Sequence, residues 1–488
     1  MRNKTLSRLL VLGLGLFPTV LHAQATLTKE QQDVLKGLDS KSAHYGELSR
    51  QIWDWAEVGY QEQKSSALLQ DELTKEGFSV KVGIAGIPTA FVATFGSGKP
   101  VIGILAEYDA LPGITQDATP ERKPIDTKKA GHACGHNLFG PGSVASAIAV
   151  KNWLQKSGKS GTIRLYGTPA EEGGSGKVYM VREGLFNDTD VVLHWHPADR
   201  NGADPSTSLA NITAKFRFRG IAAHAAASPE RGRSALDGVE SMNYMINMMR
   251  EHIPSDTRIH YVITKGGEAP NVVPDFAEVY YYVRHKNRQI LVDIWKRMVK
   301  AAEGAGLGTE TKMEYEIIGG VYNLLPVESL SQLMHKNLSL VGGVSYTAEE
   351  TRFAEKLGES FGTNFGAIRK PGEAATVSPF ANKNDLLSSA STDVGDVSWV
   401  VPTVGLSAAT WVPGTAAHSW QAVASSGTSI GVKGMMVAAK SLSLTAIDLF
   451  KDPALIQKAR ADWQQARGAD FNYEALLGNR KPALDYRK

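Results

Sequence analysis

Hydrophobic and polar positions change their period several times along this chain. Leu68, Leu69 and Leu73 fall on one helical stripe, and Gly77 follows where a helix can end in a left-handed residue. Val101 to Ala106 is a continuous apolar run that predicts a buried strand. Val144 to Leu154 predicts a helix, and Thr162 to Tyr166 and Val191 to Leu193 predict further strands. This alternation predicts a three-layer α/β domain with a largely parallel sheet, whose chemistry gathers in loops beyond the carboxyl ends of the strands.

The period changes near Pro205. Ile212, Ala214, Phe216 and Phe218 alternate with Thr213, Lys215, Arg217 and Arg219, the signature of a half-exposed strand. Ala235, Val239, Met242, Ile246 and Met249 then recur at helical spacing. Strands over Ile259 to Thr264 and Phe276 to Arg284, a helix over Arg288 to Ala302 and a strand over Met313 to Ile318 complete a β-α-β-β-α-β order. That is a ferredoxin-like unit, inserted into the larger domain at 206–325 and splitting it into 26–205 and 326–488.

The first residues read as a leader rather than as fold. Arg2, Lys4 and Arg8 precede an apolar run from Leu9 to Leu21, and Ala23-Gln24-Ala25 offers small residues for cleavage, so 1–25 is expected to be a signal peptide. About 13 apolar residues fall short of the roughly 20 that span a bilayer, and no later segment reads as a span. The mature protein is therefore expected to be exported, to the periplasm or outside the cell. With 488 residues, 42% hydrophobic and 21% charged, the chain is ordinary globular material, and a net charge of +3 without a basic cluster gives no footprint for nucleic acid. A small-molecule or peptide partner fits better. The single cysteine, Cys134, has no intramolecular partner, which leaves a buried apolar thiol or a metal-bound thiolate.

Four short segments concentrate chemistry. Gly131-His132-Ala133-Cys134-Gly135-His136-Asn137 sets three potential metal ligands among glycines. Glu171-Glu172 follows the predicted strand at Thr162 to Tyr166; adjacent residues point differently, so one carboxylate can bind metal while the other faces a reacting water. His194-Trp195-His196-Pro197 ends another strand, and only one of its histidines need be a ligand. His418 lies in a Gly- and Ala-rich loop. Singly, each has a structural explanation; together, at strand ends, they point to metal-assisted hydrolysis.

These segments resemble the aminoacylase and carboxypeptidase family of di-metal peptidases and amidohydrolases, and within it the aminobenzoyl-glutamate hydrolase branch. The likeness runs from Trp55-Ala56-Glu57-Val58-Gly59-Tyr60 past His418, and includes Ala106-Glu107-Tyr108-Asp109-Ala110-Leu111-Pro112-Gly113 and Ser391-Thr392-Asp393-Val394-Gly395-Asp396-Val397-Ser398-Trp399. The resemblance implies two divalent metal ions per chain, zinc or manganese, held by Cys134, His136, Glu172, His196 and His418, with Glu171 as general base. It implies that the inserted domain is a lid and dimerisation domain, that His224 reaches an active site, commonly across a homodimer, to stabilise the oxyanion, and that Asn271 and Arg284 hold the substrate. Two departures stand out. Glu107 occupies the place of a histidine ligand in peptidase-type members, and Asn137 replaces an acid that can orient a ligand.

The implied reaction is hydrolysis of N-acyl or N-aroyl amino acids by metal-activated water, with an aminobenzoyl-glutamate-like compound as leading substrate. A dipeptidase or carboxypeptidase acting on small peptides is the alternative. A non-catalytic solute-binding protein on the same scaffold would be expected to lack Glu171.

Overall fold

The computed structural model describes residues 27–362, 369–381 and 390–488; the expected leader, 1–25, lies outside them. Six strands form the larger sheet, in the spatial order Ser79–Val82, Phe91–Ser97, Gly161–Gly167, Val101–Ala106, Val191–Ala198 and Thr403–Ala409. The last four are parallel, and the first two add an antiparallel edge. Val101–Ala106 is buried along its whole length, as a parallel strand covered on both faces must be. Its side chains alternate between layers: Ile102 and Ile104 join the core under the long helices, whereas Leu105 packs with Tyr166, Val192 and Val397 on the other face.

Two long helices, His136–Ser157 and Ser429–Lys451, cover the first face. The first begins within the Gly131–Asn137 segment, eight residues before the start the pattern at Val144 suggests. Its first turns are buried on all sides, so they show no amphipathic period, and Gly140-Pro141-Gly142 obscures them further. Ser429–Lys451 is long and apolar enough by composition to cross a membrane, which corrects the expectation that no later segment is; 83% of its apolar window is buried in the protein core.

The inserted unit has its own sheet, ordered Lys312–Val321, Ala210–Arg219, Phe276–His285, Arg258–Lys265, with every neighbouring pair antiparallel. Helices Ala235–Met249 and Arg288–Gly308 cover one face around Phe216, Phe218, Val279 and Met298. After the insertion, Thr403–Ala409 returns to the larger sheet and pairs in parallel with Val191–Ala198. An irregular segment, 468–488, follows the last helix, Pro453–Arg467, and runs back across both domains.

Candidate metal centre and substrate cavity

Neighbouring parallel strands deliver most of the polar groups. Glu107 and Asp109 follow Val101–Ala106, Glu171 and Glu172 follow Gly161–Gly167, His196 lies near the end of Val191–Ala198, and His418 lies on the loop after Thr403–Ala409. Cys134 and His136 arrive from the start of a helix. Gly135 between them has φ +76, and a Cβ there would stand 2.7 Å from Pro197, so glycine lets the cysteine loop close against the strand that carries His196.

Two groups of potential ligand atoms result, each mutually within 4.8 Å: Cys134, His136 and His196, and Cys134, Glu172 and His418. Cys134 belongs to both. His194 joins neither, although it lines the cavity, and burial depresses its pKa to about 4. A third group, Glu107, His136 and Glu171, adjoins the first.

Hydrogen bonds orient the two buried imidazoles. His136 presents Nδ1 to Asp109 Oδ1 at 3.0 Å, and His196 presents Nδ1 to the carbonyl of Pro197 at 2.8 Å. Both bonds engage Nδ1 and turn Nε2 toward the other ligand atoms, His136 Nε2 lying 3.1 Å from Glu107 Oε2 and His196 Nε2 3.5 Å from Cys134 Sγ. The other Asp109 oxygen accepts the main-chain N–H of Glu172 at 2.8 Å, so one carboxylate sets both a ring and a ligand-bearing loop. Buried Glu107 Oε2, His136 Nε2 and Glu172 Oε1 make no well-formed hydrogen bond, although Glu107 Oε2 lies 3.1 Å from His136 Nε2 and Glu172 Oε1 lies 3.3 Å from His418 Nε2. Buried polar atoms so poorly satisfied are costly in a protein interior, and thiolate, imidazole and carboxylate together make a suitable donor set for a divalent transition metal. The residues fit the ions that the resemblance implies.

Charge around the centre is arranged on one lysine. Lys177 Nζ lies 2.6 Å from Glu107 Oε1 and 2.7 Å from Asp393 Oδ1, all three side chains being buried, and the lysine main-chain N–H reaches Asp393 Oδ2 at 2.9 Å. Burial would lower the lysine pKa, but Asp393 and Glu107 more than offset it and hold the ammonium charged. Burial, then the charges of Glu107, Glu172 and Asp393, pushes Glu171 well above the carboxylate range. Cations at the adjoining ligand groups would reverse that shift. Burial and Glu172 likewise raise the Cys134 thiol, which a bound metal would deprotonate.

Non-glycine residues with left-handed backbone here include Ala170 (φ +59) and His418 (φ +58). Each costs on the order of 1–3 kcal/mol and must be held by its surroundings. Glu62 Oε1 accepts the Ala170 N–H at 2.8 Å, and the Ala133 carbonyl accepts the His418 N–H at 2.9 Å. His418 is thereby anchored beside Cys134 although its side chain stays 53% exposed.

The centre opens into a cavity of about 1070 Å³ between the two domains, lined by Glu171, Glu172, His196 and His418 on one side and by Tyr280, Tyr282 and Arg284 on the other. Arg284 Nε is buried without a partner and its guanidinium lies 5.3 Å from the Tyr282 ring centre, so the fork is available to an anion. The structure does not bring His224 or Asn271 to this cavity within their own chain. Both are exposed on the inserted domain, where Ala225 N–H donates to the Asn271 carbonyl at 3.0 Å. His224 Nδ1 accepts the N–H groups of Ala226 and Ala227, which caps the turn and leaves Nε2 outward.

Asn137 does not face the metal ligands. Its amide donates to Ser49 Oγ at 3.0 Å and to the Ser426 carbonyl at 3.1 Å, tying helices together behind the centre. The orienting acid is Asp109, whose role the sequence left open. Lys177 was missed; its signal is a lysine that enters a helix directly after the acidic pair and its glycines. Arg487, which also lines the cavity, has no local signal.

Residues 210–310 match the model of a peptidase dimerisation domain. The chain is 41% identical over 450 residues to a polypeptide of the Escherichia coli p-aminobenzoyl-glutamate hydrolase, covering 88% of this chain and 93% of that one. It is 28% identical to the Mus musculus Xaa-Arg dipeptidase, over 88% and 90% of the two chains. A dinuclear metal-binding peptidase of the M20 family from Bacillus subtilis shares the fold with a TM-score of 0.58 at 16% identity, over 85% of this chain and 99% of that one.

Proposed function

This chain belongs to the M20 family of metal-dependent peptidases and amidohydrolases, and from that premise we propose that it hydrolyses N-acyl or N-aroyl amino acids at a two-metal centre. The observation that carries the proposal is the pair of ligand groups sharing Cys134, with Glu171 beside them on the cavity wall. Cys134, His136 and His196 would hold one ion, and Cys134, Glu172 and His418 the other. When bound, such ions polarise an amide carbonyl and lower the pKa of water from 15.7 toward about 7. Zinc suits the shared thiolate by softness, and the branch resemblance points to manganese.

Glu171 takes the proton of the attacking water and delivers it to the leaving nitrogen. Glu172 is committed to metal, so the adjacent carboxylates divide the work. Asp109 fixes His136 and the Glu172 main chain, and Lys177 offsets Glu107 and Asp393 behind them. Arg284 binds the substrate carboxylate through its free guanidinium edge. His224 and Asn271 enter from the partner of a homodimer formed through the inserted domain; the outward Nε2 of His224 donates to the developing oxyanion. A dimer formed by the exposed apolar residues Tyr244, Met248, Tyr261 and Ile263 would cover surface otherwise left to water. The leader-like first residues support export, where amides arriving from outside are the available substrates.

An aminobenzoyl-glutamate-like compound is the leading substrate, by analogy with the Escherichia coli relative. Small dipeptides are the second reading, favoured by the likeness to the Xaa-Arg dipeptidase. A panel of aroyl amino acids, acyl amino acids and dipeptides, assayed with defined metals, separates them. Glu171→Gln should retain two ions per chain and lose hydrolysis by several orders of magnitude; full retained activity would refute the mechanism.

A further inference from the structure

The segment after the last helix is held by side chains from both domains. Tyr473 Oη donates to Asp396, Arg480 donates to the carbonyls of Ile317 and Ile318 in the inserted sheet, and Arg182 donates to the carbonyls of Gly478 and Arg480. Gln61 fixes the Leu484 carbonyl at 2.8 Å. Tyr486 then packs edge-on against Tyr60, and its Oη would lie 2.2 Å from a Cβ on Gly59, so that position accommodates the tyrosine only as glycine. At the end of this path, Tyr486 Oη and Arg487 Nη2 both donate to the carbonyl of Glu172, at 3.1 and 3.0 Å.

Arg487 lines the cavity, half-buried, and no carboxylate pairs with it among the described residues. Its Nη2 donates to a neutral carbonyl and its guanidinium lies 4.9 Å from the ring centre of Tyr486, so its partners are uncharged. Arg200, on the same cavity, is instead paired with Asp199 at 2.9 Å. Arg284 and Arg487 thus give the cavity two unneutralised guanidinium groups, one on the inserted domain and one beside the metal-ligand loop. One carboxylate on the substrate satisfies only one of them.

We propose that residues 468–488 form a strap that carries Arg487 into the substrate cavity, where it binds a second carboxylate, making N-acylated acidic amino acids the preferred substrates. Tyr486 and Arg487 together also hold the main chain of Glu172, so the strap couples substrate recognition to the ligand loop. The proposal rests on the amidohydrolase reading above and names its substrate class more narrowly.

The test compares an aroyl-glutamate with the matched aroyl-glutamine, which differs only in the second carboxylate, on the metal-loaded full chain. Arg487→Ala should lower kcat/KM for the aroyl-glutamate by about 10- to 100-fold, mostly through KM, the range for losing a charge-assisted hydrogen bond. The aroyl-glutamine shares only the loss that comes from the Glu172 contact, so the ratio of kcat/KM for aroyl-glutamate over aroyl-glutamine should fall by at least about 5-fold, and Arg487→Lys should restore part of that ratio. Equal losses on both compounds would reduce Arg487 to a structural role, and unchanged discrimination would remove it from the site. Equilibrium binding of L-glutamate and L-glutamine to wild type and Arg487→Ala gives a readout without turnover. Should wild type hydrolyse neither aroyl compound, the amidohydrolase reading fails. The strap assignment then stands if Arg487→Ala selectively weakens glutamate binding, and falls if it does not.

Discussion

Asp109 and His136 meet inside the protein at 3.0 Å, Oδ1 to Nδ1, with both side chains sealed from solvent. The contact fixes which imidazole nitrogen faces the ligand cluster. Although burial pushes Asp109 up, the hydrogen bond and charge of His136 hold it below the usual carboxylate range, so it remains an acceptor. Asp109→Ala should weaken metal binding by about 10- to 100-fold, as losses of such orienting partners typically do. Competition with a chromophoric chelator measures this, and unchanged affinity would show that His136 needs no support.

Removing the metal should destabilise the fold. Three buried ligand atoms, on Glu107, His136 and Glu172, make no well-formed hydrogen bond and crowd other ligand atoms instead, Glu107 against His136 at 3.1 Å and Glu172 against His418 at 3.3 Å. Ion present at 100 times its dissociation constant stabilises the native state by about 2.7 kcal/mol. Thermal unfolding of chelated protein, with and without added zinc or manganese, should show a concentration-dependent rise in Tm. A Tm indifferent to metal would argue against these ligand groups.

Asn137→Asp should be harmful for structural reasons. The amide donates to the Ser426 carbonyl, and a carboxylate there would face another acceptor in a buried setting. The expected cost is about 1–3 kcal/mol or more, seen as a lower Tm with metal content unchanged. Loss of metal without loss of stability would return Asn137 to the metal centre.

Asp396 supplies a pH signature. Burial raises its pKa to about 7, while the Tyr322 N–H and Tyr473 hydroxyl donate to it at 2.9 and 2.8 Å. The folded-state pKa exceeds the unfolded one, so the native state binds the proton more tightly. This contribution is complete below about pH 4 and is lost as pH rises through about 7. The stability advantage of wild type over Asp396→Asn should therefore shrink between pH 4 and pH 8, measured by denaturant unfolding. A constant difference would show that Asp396 titrates normally.

The dimer proposal makes an arithmetical prediction. A mixture of inactive His224→Ala and inactive Glu171→Gln, refolded together in equal amounts, forms mixed dimers half the time. If His224 serves the partner's site, one site in each mixed dimer is intact, giving about a quarter of wild-type activity. No recovery, with subunit exchange demonstrated, would assign His224 to its own chain or to the turn it caps.

Periodicity alone made the two domains legible. A fully apolar run such as Val101–Ala106 and an alternating one such as Ile212 to Phe218 report different burial, because side chains on a strand alternate and only a strand covered on both faces is apolar throughout. The candidate ligands were legible too, since each lies in or beside a short segment whose residue types are unusual together. The start of the His136–Ser157 helix was not, because a helix buried on every side has no stripe.

Tertiary structure alone decided how those groups are held. Lys177 meets Asp393 across 216 residues, and Arg487 meets the Glu172 carbonyl across 315. Asp109, one of two acids on its loop, became the group that orients His136, while Asn137, adjacent to His136 in sequence, turned away. Sequence determined the chemical groups and the local backbone that carries them. Which charges neutralise one another, and which remain free for metal or substrate, depends on burial and on contacts between distant segments, and these exist only once the chain has folded.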